Sequence, residues 1–304
     1  LIFSRERKRR AMNRERILVT TDLSEHSYAV IDKAMSFALR YNKWLEVLHV
    51  VEPSLFAFGF SRKEQNPAEL DAATQERLVA ISEKIKKTLG RTIDKLNVET
   101  RLGNVSATVE AYAREKRVSM VIIGDSEHKK GIKAVVLGST AKRIINKNEV
   151  PVLVSKTAGD ADYKNIYVPT DFSARSLESL VFMAEHFPDA LFVLDHVIDV
   201  PSEAQFEAYE LDSGFMENFS DSARRHAEGQ MNAFIAKLRA RGGAAAKIAI
   251  KPQFAVGHID SEWVVGESQK AHSDLIGLTA DTTLFSNTFP IMEKAHCDVL
   301  LYKE

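Results

Sequence analysis

The string Arg16-Ile-Leu-Val-Thr-Thr-Asp-Leu-Ser24 returns 149 residues later as Asn165-Ile-Tyr-Val-Pro-Thr-Asp-Phe-Ser173, and self-similarity of this kind marks a repeated domain. Further pairs of strings follow in the same order in both halves. Leu45-Glu-Val-Leu-His-Val-Val51 answers Leu191-Phe-Val-Leu-Asp-His-Val-Ile198, and Leu102-Gly-Asn104 answers Val256-Gly-His258. Met120-Val-Ile-Ile-Gly124 answers Asp274-Leu-Ile-Gly277, and Val150-Pro-Val-Leu-Val154 answers Asp298-Val-Leu-Leu301. At 304 residues the chain has room for two domains that each bury a core.

These runs are short, apolar and rich in Val, Ile and Leu, and helical patterns separate most of them. That is the signature of strands buried on both faces of a parallel sheet. The expected helices of the first half run from Ser24 to Tyr41, Ala68 to Thr92, Ser106 to Arg117 and Thr140 to Asn148, with Ser24 as an N-cap. Those of the second run from Ser173 to His186, Ser220 to Arg241, Ser261 to His272 and Phe289 to His296. Each half therefore reads as a doubly wound α/β domain: a five-stranded, mainly parallel sheet with helices on both faces and right-handed crossovers. The polar stretch Ser155-Lys-Thr-Ala-Gly-Asp-Ala-Asp162 separates the copies, giving domains 16–156 and 163–304. Residues 1–15 form a strongly basic N-terminal extension, read either as a segment upstream of Met12 or as a polyanion-binding arm.

Lys plus Arg (41) nearly balances Asp plus Glu (42), for a net charge of -1, so no chain-wide field draws the protein to nucleic acid or an acidic membrane. The single cysteine, Cys297, excludes an internal disulfide and a multi-cysteine zinc site; beside an apolar run it reads as a buried, inert thiol. No apolar stretch approaches the ~18 residues that span a bilayer, and the chain opens on no signal-peptide hydrophobic region, so a cytoplasmic location is expected.

In sheets of this type ligands bind beyond the carboxyl ends of the strands. The first strand ends at Thr20-Thr21-Asp22, and the fourth at Gly124, followed by Asp125-Ser-Glu-His-Lys-Lys-Gly131-Ile-Lys-Ala-Val-Val-Leu-Gly138-Ser139-Thr140. Glycines let backbone amides approach a phosphate, and hydroxyls at a helix N-terminus add donors where the helix dipole favours an anion. The loop is neither a Walker A loop nor a dinucleotide fingerprint, since neither glycine pattern occurs. The order of these elements, an Asp closing the first strand, a glycine after the fourth, then Leu-Gly-Ser before a helix and Val150-Pro-Val-Leu-Val154, resembles the universal stress protein family in two copies from Ile17 to Tyr302.

The resemblance implies a flavodoxin-like (adenine nucleotide alpha hydrolase-like) fold and an adenine-nucleotide site for ATP or a relative, with or without Mg²⁺. It places Thr21 and Asp22 by the adenosine, Val50 with its backbone toward the base, and Gly124, Gly138, Ser139 and Thr140 by the phosphates. It also implies an intrachain pseudo-dimer through the last strand of each copy. Two departures stand out: Glu127 occupies the second glycine position of the family motif, and the interval from Gly124 to Gly138 is 14 residues instead of the motif's 13. Lys129 and Lys130 would offset the carboxylate. The second copy keeps Thr170, Asp171, Val197 and Gly277 but has Asn287 and Thr288 where Gly-Ser belongs, so its phosphate loop reads as lost.

Structural explanations stand beside these. Asp22 and Asp171 occupy positions where a helix N-cap is needed, Gly124 would serve as a turn after a strand, and Gly138-Ser139 as a tight helix start. His49 and His196 recur at the same place in both second strands, which favours a shared structural role over catalysis. His258, Asp260 and Glu262 lack the spacing of a metal site, and no triad, nucleophile elbow or carboxylate pair stands out, so no catalytic or metal residues are assigned. The aromatic loops Leu55-Phe-Ala-Phe-Gly-Phe60 and Phe206, Tyr209, Phe215 and Phe219 would pack on their own domains or offer an apolar surface. The expected function is a stress-response binding and signalling module with a degenerate nucleotide site in the first copy. The alternative is a nucleotide-free protein that binds a partner, a further copy of itself or an apolar ligand through the aromatic loops.

Overall fold

The apolar runs of the first half become strands with no exposed surface at their centres: Ile17, Leu18 and Val19 in β1 (Arg16–Thr21), Leu45 and Val47 in β2 (Trp44–Val51). The computed structural model of the chain describes residues 16–53, 72–90, 93–125, 137–156, 159, 161–198, 213–257, 259–280 and 288–303. The chain divides into a first unit, Leu1–Asp162 with Lys303–Glu304, and a second, Tyr163–Tyr302.

In the first unit β3 (Leu96–Leu102), β4 (Met120–Gly124) and β5 (Val152–Ser155) complete a sheet in the order β3-β2-β1-β4-β5, every pair parallel. The second unit repeats this with β6 (Asn165–Pro169), β7 (Leu191–Ile198), β8 (Ala249–Val256), β9 (Leu275–Thr279) and β10 (Asp298–Tyr302), in the order β10-β9-β6-β7-β8. Parallel strands require a crossover for each connection, and helices supply it. They are α1 (Glu25–Arg40), α2 (Ala72–Leu89), α3 (Val105–Lys116) and α4 (Ser139–Lys147) in the first unit. The second has α5 (Ala174–His186), α6 (Ser213–Ala240), α7 (Ser261–Lys270) and α8 (Thr288–Lys294). This is the doubly wound α/β architecture expected of each half, with helices on both faces.

Local chemistry fixes the helix ends. Ser24 caps α1 by accepting the Ser27 N–H at 3.2 Å, Ser173 does the same for α5 with Ser176 at 3.1 Å, and Asp260 caps α7 through Trp263 at 2.8 Å. Glu25 in the first turn of α1 and Arg40 in its last both complement the helix dipole. Two boundaries differ from the sequence reading. α6 begins at Ser213 and not Ser220, so Phe215 and Phe219 belong to a helix instead of a loop. Its core-facing stripe, Ala227, Met231, Phe234 and Leu238, lies in the second half, while residues 217–226 are mostly exposed. α2 is shorter than expected, and residues 68–71 and 91–92 lie outside the described residues, as do Leu55 to Phe60, Phe206, Tyr209 and the extension 1–15.

Candidate functional site

In both units the chain order reverses between the first and fourth strands, at β1/β4 and at β6/β9, and ligands of open α/β sheets lie beyond the carboxyl ends at such a point. The first strand of each unit leaves the sheet through the same hydrogen-bonded turn. In the first unit the Thr21 hydroxyl accepts the Leu23 N–H at 3.0 Å, and Asp22 Oδ1 accepts the Ser24 N–H at 3.0 Å and its hydroxyl at 2.6 Å. In the second, Thr170 accepts from Phe172 at 3.2 Å, and Asp171 Oδ1 accepts the Ser173 N–H at 3.0 Å and the Ser176 hydroxyl at 2.6 Å.

These bonds hold the intervening residue in the left-handed region, Leu23 at φ 68° and Phe172 at φ 61°, a conformation that side chains other than glycine resist and that the turn must over-determine. The caps are Ser24 and Ser173, so the capping role read for Asp22 and Asp171 is corrected: the aspartates instead close the turn two residues ahead of the helix. Partial burial raises the cost of charge on Asp22, yet hydrogen bonds from Ser24 and Ser27 outweigh it and hold the carboxyl below its ordinary value. Asp171 is lowered in the same way, burial again opposing and Ser176 and Ser173 prevailing.

The recurring histidines share one task. His49 stands opposite Thr21 in register, and its Nδ1 lies 2.8 Å from the Thr21 carbonyl; His196 Nδ1 lies 2.9 Å from the Thr170 carbonyl. With an N–H at Nδ1 each ring ties the end of the second strand to the end of the first. Val50 and Val197, one residue further on, are half-buried.

Gly124 is the last residue of β4, not a turn beyond it, and its lack of a side chain is a matter of helix approach. A Cβ there would sit 3.2 Å from the His26 ring and 3.3 Å from Val30, both on α1. Gly277 does the same within β9, where a Cβ would collide with Met183 of α5. Asp125 follows Gly124 and is 4% exposed; His26 Nε2 and Asp125 Oδ1 are 3.0 Å apart but not aligned for a hydrogen bond. Comparison of the two copies does not point to this contact, because the matching positions of the second copy hold Arg175 and Leu278.

Gly138 is the N-cap of α4 and makes no side-chain cap, while Ser139 and Thr140 open the helix with exposed side chains. Arg143 reaches back to the Ser139 hydroxyl at 3.3 Å. The second unit differs at this point: Thr288 opens α8 but is 2% exposed, and Asn287 lies outside the described residues. So do residues 126–136, with Glu127, Lys129 and Lys130. Thr21, Asp22 and His49 are thus brought together by hydrogen bonds and register, and Gly124 adjoins the helix that Asp22 leads into. Among the described residues no group of three or more His, Cys, Asp or Glu could hold a metal ion, and no helix is long and apolar enough to cross a membrane.

Residues 13–156 match the family model described as Universal stress protein family. The universal stress protein MJ0531 of Methanocaldococcus jannaschii is 25% identical over 142 residues, 47% of this chain and 82% of that protein. A universal stress protein of Archaeoglobus fulgidus superposes over 96% of this chain and 97% of its own, with a TM-score of 0.56 at 16% identity. The functionally unknown protein PA1789 of Pseudomonas aeruginosa gives 0.59 at 15% identity, over 96% and 94% of the two chains. At these identities the two structures speak for the fold alone, and they do so over both units.

Proposed function

Since residues 13–156 belong to the universal stress protein family, we propose that the chain is a stress-response binding and signalling module of two universal stress domains, 16–156 and 163–304. In this reading the first domain holds an adenine nucleotide, and the second has lost its phosphate loop. The first turn of α4 carries the proposal. Gly138 supplies no cap, so the leading backbone N–H groups of the helix are met by no side-chain cap, and the exposed hydroxyls of Ser139 and Thr140 stand beside them. In the second domain the corresponding hydroxyl, Thr288, is buried. Thr21 and Asp22 would then lie by the adenosine and Val50 by the base, with Gly124, Gly138 and Ser139 by the phosphates. The nucleotide, ATP with Mg²⁺ being the first to try, is sensed and not turned over. β5 and β10 each end the strand order of their own sheet, and pairing of the copies through these strands is part of the same proposal.

A ligand that binds only the folded state raises the melting temperature, by about 2.7 kcal/mol of added stability at a hundredfold excess over Kd. Millimolar ATP with Mg²⁺ should raise the melting temperature of the wild-type protein and leave the Gly138→Val variant unmoved. No rise in the wild type overturns the reading. It would favour the second one, a nucleotide-free interaction protein, which has its own support: helix approach alone accounts for Gly124, and the buried carboxylate of Asp125 adjoins it.

A further inference from the structure

Between its sheet and α7 the second unit buries a carboxylate with no basic side chain bonded to it. Asp195, on β7, has no exposed surface. Its Oδ2 accepts the Tyr167 hydroxyl from β6, while its Oδ1 makes no hydrogen bond among the described residues. The buried Nε1–H of Trp263 on α7 is near enough to act on Asp195 but is not aligned with it for a hydrogen bond. Gln253 stands opposite Asp195 on β8 but commits its amide to Glu267 of α7 at 2.8 Å, and Glu267 pairs in turn with Lys270 at 2.6 Å. The groups around Asp195 are therefore Tyr167 from β6, His196 beside it on β7, Gln253 from β8, and Trp263 and Glu267 from α7.

The first unit buries its carboxylate at a different place on the second strand: Asp195 corresponds in register to Leu48, and Glu46 lies two residues earlier. Glu46 of β2 is 1% exposed and faces α3, but Arg16 binds its Oε1, and Asn97 at 2.8 Å and Tyr112 at 2.9 Å donate to its Oε2. That carboxylate thus has a counter-charge and donors at both oxygens. Asp195 has one aligned hydroxyl donor, Tyr167, with the Trp263 N–H, His196 and the Glu267 carboxylate nearby and no basic side chain bonded to it among the described residues. Burial above all, with Glu267 adding to it and Tyr167, Trp263 and His196 opposing, lifts its carboxyl above the ordinary 3.8.

We propose that Asp195 is a proton-dependent latch for α7: as the neutral acid it lies between β6 and α7 at little cost, and on ionising it loosens α7 from the sheet of the second unit. The inference is independent of nucleotide binding. A carboxyl whose folded-state value is raised holds more protons folded than unfolded. Its contribution is fully present below the ordinary carboxylate value and is lost as pH rises through the folded one.

The test is amide hydrogen exchange on the full chain, corrected for intrinsic rates, at about pH 5 and about pH 8. Protection of the α7 amides, residues 261–270, should fall at least roughly tenfold between the two in the wild type, and α3 should not follow it. Asp195→Asn, neutral at both values, should abolish the fall. Equal protection at both pH values in the wild type, or an unchanged fall in Asp195→Asn, overturns the proposal. Should that variant not fold, Tyr167→Phe removes a donor that favours the ionised form, so the midpoint of the fall must move to higher pH; an unmoved or lowered midpoint overturns it equally.

Discussion

Gly124 and Gly277 show how a residue type can be conspicuous in a sequence while its reason stays hidden. Both close the same string in their copies, and both read as backbone positions for a turn or a phosphate. In the structure each is where a helix crosses close over a strand, and the atoms that exclude a side chain belong to His26 and Val30 in one case and Met183 in the other, all distant in sequence. Met183 has no exposed surface, so it has nowhere to retreat. Gly277→Ala should therefore cost about 1–3 kcal/mol of stability through overpacking. Chemical denaturation measures this, and a loss below half a kcal/mol would show that Met183 repacks freely. The Asp22 and Asp171 turns were partly legible: the shared Thr-Asp-x-Ser string is plain, but that serine caps while aspartate closes the turn depends on backbone angles a sequence does not carry.

Elements were legible where burial is one-sided or complete. Eight strands were found because their centres are largely apolar, Glu46 and Asp195 excepted, β3 and β8 only through the match of Leu102-Gly-Asn104 with Val256-Gly-His258, and α1 and α5 because an N-cap serine precedes an apolar period. Ser24→Ala should lower stability by about 1 kcal/mol, the usual worth of such a cap, and the same change at the exposed Ser139, which caps nothing, should cost less. Equal losses at the two sites would contradict the assigned capping roles. The beginning of α6 was missed because Phe215 and Phe219 read as part of an aromatic loop and residues 217–226 are largely polar and exposed. β8 keeps Pro252 because it is the last strand in its sheet's order, where a missing N–H leaves no ladder bond broken on the outer side.

At the scale of the whole chain, one fold has been used twice and the copies have diverged where chemistry would act. The turn after the first strand and the histidine that ties it down are retained in both. A buried carboxylate on the second strand, Glu46, is paired with Arg16 in the first unit, and another at a different position, Asp195, is bonded to Tyr167 in the second. The fourth helix opens on an exposed Ser-Thr pair after a glycine N-cap in the first unit and on a buried threonine in the second. Repetition made the fold of each half readable from sequence, because five strand pairs in one order leave few topologies. It could not settle the candidate site, since the copies differ there and the loop between Gly124 and Gly138 departs from the family motif. Calorimetric titration of the full chain with ATP and Mg²⁺ tests the asymmetry directly. Binding of one nucleotide per chain, lost in Gly138→Val, is the expected result; two per chain, none, or one that survives the substitution would contradict it.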